Sequence, residues 1–311
     1  MPTSTPHSLQ RAPGCSASSL PGRTPSGPSR RSRWEPESAA SRLEAVSTST
    51  DLSLHTTLIG EGGPVVVFLH GLFGQGKNFT QIAKGLTPEH RSLLVDLPNH
   101  GRSGWTERID YADMADHVAA ELSSGVAAEG PVHLVGHSMG GKVAMVLALR
   151  HPELIDRLVV VDISPVSSGG SMGQFEHLLD SLATLDLTRL SSRREAEEQL
   201  QEPIPEAMTR GFLLQSLVRE GGTFRWLSNL ELLRSELDVI GGFPDAGDAQ
   251  FTGPVLWVAG ADSDYIAEEH RPVMRELFPQ AQLLRIKDAG HWVHAAQPEV
   301  FTSVLRQSLG S

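Results

Sequence analysis

Val132-His133-Leu134-Val135-Gly136-His137-Ser138-Met139-Gly140-Gly141-Lys142 is the stretch on which the reading of this chain turns. Val132–Val135 reads as a short strand buried on both faces, and an apolar helical pattern follows through Ala148. Between them lies Gly-x-Ser-x-Gly. A serine on a sharp strand-to-helix turn holds its Oγ clear of its neighbours, and glycines two residues to either side let strand and helix approach closely. The helix N-terminus behind it favours negative charge developing in a transition state. The motif alone is weak, but strand, turn and helix are all present, so Ser138 is read as a nucleophile.

Working outward, buried-strand runs recur at Val65–Leu69, Leu93–Val95, Leu158–Val161, Val255–Val258 and Leu283–Ile286. Helical patterns lie between them, as at Tyr111–Leu122, Lys142–Arg150, Glu268–Phe278 and Pro298–Leu309. This alternation predicts an α/β fold, a mostly parallel doubly wound sheet covered on both faces by helices. Residues 51–165 and 250–311 are expected to form that core. Residues 166–249 show no convincing strand, only amphipathic helical stretches at 176–190, 193–201, 205–219 and 229–240. Such an insertion is expected to form a helical lid over the sheet's carboxyl edge, where ligands bind in such folds.

Two more segments carry chemistry. His70-Gly71-Leu72-Phe73-Gly74 follows the first long strand, and its glycine-rich turn can aim a backbone N–H at a developing oxyanion. Leu72 is the favoured donor, Phe73 the alternative, with the N–H of Met139 as partner. Gly290-His291-Trp292 follows the last strand and supplies an imidazole late in the chain, where a general base for Ser138 is expected. His294 lies three residues further on, but nothing nearby completes a metal-ligand set, so neither metal nor cofactor is expected. Phe73, Trp226, Phe243, Trp292 and Met139 are candidates to line an acyl pocket, with ordinary packing the competing reading.

The bulk properties exclude other classes. Of 26 basic and 37 acidic residues, five arginines and no acid fall in residues 1–34, leaving 21 against 37, or −16, for the remainder. A body that acidic repels nucleic acid and anionic lipid surfaces. Cys15 is the one cysteine, which precludes an intramolecular disulfide and suits a reducing cytoplasm. No apolar run reaches membrane-spanning length, so no membrane insertion is expected. Residues 1–50, rich in Ser, Pro, Thr and Arg, are expected to be a disordered tail or an over-long start, the alternative being an organellar transit peptide. The sequence says nothing of oligomeric state.

From about residue 51 onward the chain resembles the α/β-hydrolase superfamily. More narrowly, it resembles the esterase branch that contains α/β-hydrolase domain-containing protein 11 and its bacterial counterparts. The residues carrying this are His70–Gly74, Asp96–Ser103, Gly136–Lys142, Val161–Pro165, Phe224–Trp226 with Asn229-Leu230, and Gly290–His294. The branch has arginine before Asn-His-Gly where this chain has Pro98. The resemblance implies two places for the acid that orients the base. The superfamily pattern Gly-x-x-Asp, counted from Gly260, puts Ser263 in the slot, flanked by Asp262 and Asp264. The narrower branch puts the acid at Asp162, with Ser263 as a supporting hydrogen-bond partner. The implied activity is serine-dependent hydrolysis of a small acyl ester or thioester. Acyl transfer, lactone opening and cofactor-free perhydrolysis use the same machinery, and a non-catalytic binding protein is the alternative from another class.

Overall fold

The computed structural model describes residues 52–167 and 172–310. The tail expected over residues 1–50 and four residues of the insertion, 168–171, lie outside the described residues. The chain runs through β1 (Thr56–Ile59), β2 (Val65–Leu69), α1 (Thr80–Leu86), β3 (Arg91–Val95), α2 (Tyr111–Ser124), β4 (Val132–His137), α3 (Met139–Arg150) and β5 (Ile155–Val161). The insertion then contributes α4 (Gly173–Ala183), α5 (Arg193–Gln199), α6 (Ala207–Leu213), β6 (Leu217–Glu220), β7 (Thr223–Trp226), α7 (Leu230–Ser235) and α8 (Leu237–Gly241). Last come β8 (Val255–Gly260), α9 (Arg271–Leu277), β9 (Ala281–Ile286), α10 (Val293–Ala296) and α11 (Pro298–Leu309).

Seven strands form one sheet in the order β1-β3-β2-β4-β5-β8-β9, parallel throughout except for β1, which pairs antiparallel with β3 at the edge. The alternation of side chains along a strand, with both faces covered, explains why β2 is apolar at every position. Val65, Val67 and Leu69 enter one core with α2 and α3, through Met114, Val118, Val143 and Leu147. Val66 and Phe68 enter the other with α1 and α11, through Ile82, Leu86, Phe301 and Leu305.

The insertion is not wholly helical. Residues 217–226 form the hairpin β6–β7, where only helices were expected, and α6 stops at Leu213 rather than near residue 219. The reason is local. Gly221 and Gly222 both take positive φ, 59° and 94°, the conformation a two-residue hairpin turn demands. The helix expected over 229–240 is two short helices, α7 and α8, meeting at Glu236.

The insertion is tied to the core at its exit. The last carbonyls of α8 have no partner within the helix. Lys142 Nζ, from α3, donates to the carbonyls of Ile240, Gly241 and Gly242 at 3.3, 2.8 and 2.7 Å, and Tyr111 Oη donates to Ile240 O at 2.7 Å. Burial pushes the Lys142 ammonium down to about 7. Earlier in the insertion, Asn229 N–H donates to Asn99 O at 2.9 Å. Among the described residues no helix is long and apolar enough to cross a membrane.

The glycines around Ser138 are required by close approach. A Cβ on Gly140 would stand 2.4 Å from His70 O and 2.5 Å from Leu69 O, and one on Gly136 would stand 2.3 Å from Gly140 O. Gly140→Ala is therefore expected to lower the unfolding free energy by about 1–3 kcal/mol. Gly211→Ala, in α6 where a Cβ meets nothing within 4 Å, is expected to raise it by up to about 1 kcal/mol. Urea denaturation of the two variants beside the parent checks the contrast.

Candidate active site

The register of the sheet brings the site together. His137 at the end of β4 pairs with Val161 at the end of β5, so the next residues, Ser138 and Asp162, leave the carboxyl edge side by side. Both then turn abruptly, with φ of 53° at Ser138 and 51° at Asp162. Non-glycine residues in this region store strain that the surroundings must hold. Here Ser138 N–H donates to Val161 O at 3.0 Å and Asp162 N–H donates to Val258 O at 2.9 Å. β9 delivers His291 from the far edge of the sheet.

Three side chains form a continuous line. His291 Nε2 lies 2.9 Å from Ser138 Oγ, and His291 Nδ1 lies 2.9 Å from Asp162 Oδ2. Asp162 is fully buried and accepts two further hydrogen bonds. One comes from Gly260 N–H at 2.9 Å to Oδ1 and one from the Ser263 hydroxyl at 2.5 Å to Oδ2. An anionic acceptor so surrounded fixes the imidazole with Nδ1 as donor, leaving Nε2 free to accept from the serine hydroxyl. Of the three acids open at the sequence level, the geometry joins Asp162 to His291. Asp262 and Asp264 are exposed, and among the described residues no hydrogen bond or ion pair links either side chain to His291.

The turn after β2 abuts the nucleophile turn, since a Cβ on Gly71 would stand 3.1 Å from Ser138 Cβ. His70 fixes this turn by donating from Nδ1 to Gly71 O at 2.8 Å and accepting Leu97 N–H at Nε2, 2.9 Å away. His100 Nε2 accepts the N–H of Phe73 at 3.3 Å, which occupies the alternative oxyanion donor. The N–H groups of Leu72 and Met139 meet no protein acceptor among the described residues. The motif Asp96–Ser103 thus acts on the site indirectly. Asp96 accepts from Gly76 N–H at 2.7 Å and Arg102 N–H at 2.9 Å, while His100 positions Phe73.

The aromatic candidates divide. Phe73 is buried beside the turn and faces Phe175 of α4, ring centroids 6.3 Å apart. Trp292 stands 5.8 Å from the His291 ring and 6.1 Å from Phe212 of α6. Trp226 sits in the β6–β7 hairpin opposite Leu217 and packs on the core, and among the described residues no ring contact or hydrogen bond joins it to Ser138 or His291. Phe243 likewise packs on the core. Sequence reasoning missed Phe175 and Phe212, which come from the insertion with no motif to mark them. It also missed Tyr265, whose ring stacks on His291 at 4.0 Å with an interplanar angle of 24°, and His137, whose Nε2–H donates to His291 O at 2.8 Å.

The chain belongs to the α/β-hydrolase fold family, whose model matches residues 64–298. Within it the chain falls in the esterase branch. It is 40% identical over 252 residues to sn-1-specific diacylglycerol lipase ABHD11 of Mus musculus, covering 79% of this chain and 81% of that protein. It is 30% identical over 244 residues to esterase YbfF of Escherichia coli, covering 78% and 92%. A solved marine microorganism esterase superposes with a TM-score of 0.80 at 32% identity, over 83% of this chain and 100% of that one.

The histidines around the site are neutral by burial. Desolvation lowers His70, lowers His137 well below its ordinary value, and takes His100 to about 3 and His294 to about 4. For His100 and His294 the unfolded chain takes up protons as pH falls through 6.5 while the folded chain refuses them. Stability is therefore full above that pH and is lost on acidification, at about 1.4 kcal/mol per pH unit for each group. Unfolding free energies at pH 7.5, 6 and 5 are expected to fall in that order. His294→Phe is expected to flatten the slope, and a pH-independent stability would contradict the assignment.

Proposed function

We propose that this chain is a carboxylic ester hydrolase in which Ser138 is the nucleophile, His291 the general base and Asp162 the acid that orients it. The observation that carries the reading is the line Ser138–His291–Asp162, with 2.9 Å at each link. Ser138 Oγ attacks the acyl carbonyl carbon while its proton passes to His291 Nε2. The tetrahedral oxyanion is held by the N–H groups of Leu72 and Met139, each worth on the order of 10²–10³ in turnover. His291 then gives its proton to the departing alkoxide or thiolate. A water, deprotonated by the same imidazole, attacks the acyl-enzyme, and collapse of the second intermediate returns the proton to Ser138. Asp162 stabilises the imidazolium in both halves, and Ser263 holds Asp162. No metal or organic cofactor enters any step.

Residues 166–249 act as the lid in this reading. Phe175 and Phe212 reach from it to Phe73, in the turn after β2, and to Trp292, beside His291. Those four rings line an acyl site for small acyl groups, with Trp226 of the hairpin a more distant candidate. Esters and thioesters both fit the chemistry, and the lipase and esterase relatives support an ester. We also assign the protein to the cytoplasm, as its lack of a cysteine pair suits. Acyl transfer to an alcohol is a second reading, favoured by one relative, a probable alcohol acetyltransferase of Saccharomyces cerevisiae, 31% identical over 261 residues. Product partitioning between water and added ethanol separates the two.

Hydrolysis of p-nitrophenyl acetate, butyrate and octanoate tests the proposal. Ser138→Ala and His291→Ala are each expected to lower kcat by about 10³ or more, and Asp162→Asn by about 10²–10⁴. Asp262→Asn is expected to stay within about twofold. Loss of turnover in Asp262→Asn with Asp162→Asn active would reverse the assignment of the acid.

A further inference from the structure

The hydrogen bonds at Nδ1 and Nε2 of His291 both act in the plane of the ring, so they resist tilting of that plane only weakly. A flat group stacked on the ring face does resist it. Tyr265 is that group, with centroids 4.0 Å apart and planes within 24°.

Tyr265 is itself fastened to the segment that carries Asp162. The loop after β8 and the loop after β5 are cross-linked twice. Ser263 Oγ donates to Asp162 Oδ2 at 2.5 Å, and Ser164 Oγ lies 3.0 Å from Tyr265 O and 2.8 Å from His270 Nδ1. Tyr265 N–H also points at Ser263 Oγ, 3.4 Å away. Acid and stacked ring thus share one scaffold, and a shift of either loop would move both.

The ring also has an electrostatic consequence. An aromatic face carries negative potential and attracts a cation held within about 6 Å of its centroid. When His291 takes the Ser138 proton it becomes such a cation, so the attraction grows as the proton moves, the condition for raising turnover. The other groups facing His291 are the Asp162 carboxylate, the Ser138 hydroxyl, the indole of Trp292, and His137 and His294, which burial keeps neutral. Burial and the Asp162 charge push the Tyr265 phenol up, so its ring stays uncharged.

We infer that Tyr265 is a positioning residue for the reaction: stacked on His291, it holds the imidazole in line with Ser138 and stabilises it once protonated. This rests on the reading of His291 as the general base.

The test uses the full chain and p-nitrophenyl acetate. Tyr265→Phe keeps the ring and is expected to retain kcat within about twofold. Tyr265→Leu and Tyr265→Met fill the space without a π face and are expected to lower kcat about tenfold with KM within about twofold. Melting temperature is read beside each, and Met serves if Leu does not fold. The decisive arm repeats Tyr265→Leu in a His291→Ala background, where the further loss is expected to vanish because the ring has nothing to act on. Unchanged kcat in the Leu and Met variants, or an equal tenfold loss in the His291→Ala background, would overturn the inference. Turnover that survives in His291→Ala at the parent rate would instead overturn the proposed function on which it rests.

Discussion

Everything at this site depends on how closely α3 lies against the ends of β2 and β4. Gly136 and Gly140 have no room for a Cβ, and Gly141 would place one 2.6 Å from Ile163 Cγ2. That contact forces the chain through a positive φ at Ser138 and aims the helix N-terminus at the space above it. The same contact region seats the turn at Gly71 against Ser138, where a Cβ on Gly71 would stand 3.1 Å from the serine Cβ. The strain is held by strand pairing on either side, from β5 to Ser138 and from β8 to Asp162. A rigid sheet thereby supports two residues in a conformation that neither would adopt alone.

The core was legible because burial on both faces leaves a plain mark: Val65–Leu69 is apolar at every position, and Val132–Val135 at all but His133. Ser138 and His291 were legible because their local contexts, a strand-to-helix turn and a post-strand turn, are short and specific. The acid was not legible from the residues alone. Three carboxylates, Asp162, Asp262 and Asp264, follow strands, and what distinguishes them is register across the sheet, a non-local property. Once β5 lies beside β4 with Val161 opposite His137, Asp162 is the residue next to Ser138. The hairpin at 217–226 was missed because its strands are four residues each, too short for a periodicity to stand out, although Gly221-Gly222 marked the turn.

The insertion makes sense only against the core. Lys142 lies four residues past Ser138, and its ammonium caps the carboxyl end of α8, so the helix behind the serine also fixes the exit of the insertion. Asn99, at a positive φ of 65°, holds the start of α7 through Asn229. These residues fall within segments that carry the resemblance to the esterase branch, Asp96–Ser103, Gly136–Lys142 and Asn229-Leu230. Through these bonds the core fixes both the start of α7 and the exit of the insertion.

The central claim is that one hydroxyl, on Ser138, is activated for attack by the imidazole beside it. The most direct measurement is peptide mapping by mass spectrometry after brief exposure of the folded protein to a fluorophosphonate, which reacts with a serine only when its proton can be withdrawn. The account predicts a single stoichiometric adduct on the peptide carrying Ser138, and none on protein first unfolded in urea. An unlabelled Ser138 in folded protein, or an adduct on a different serine, would contradict it.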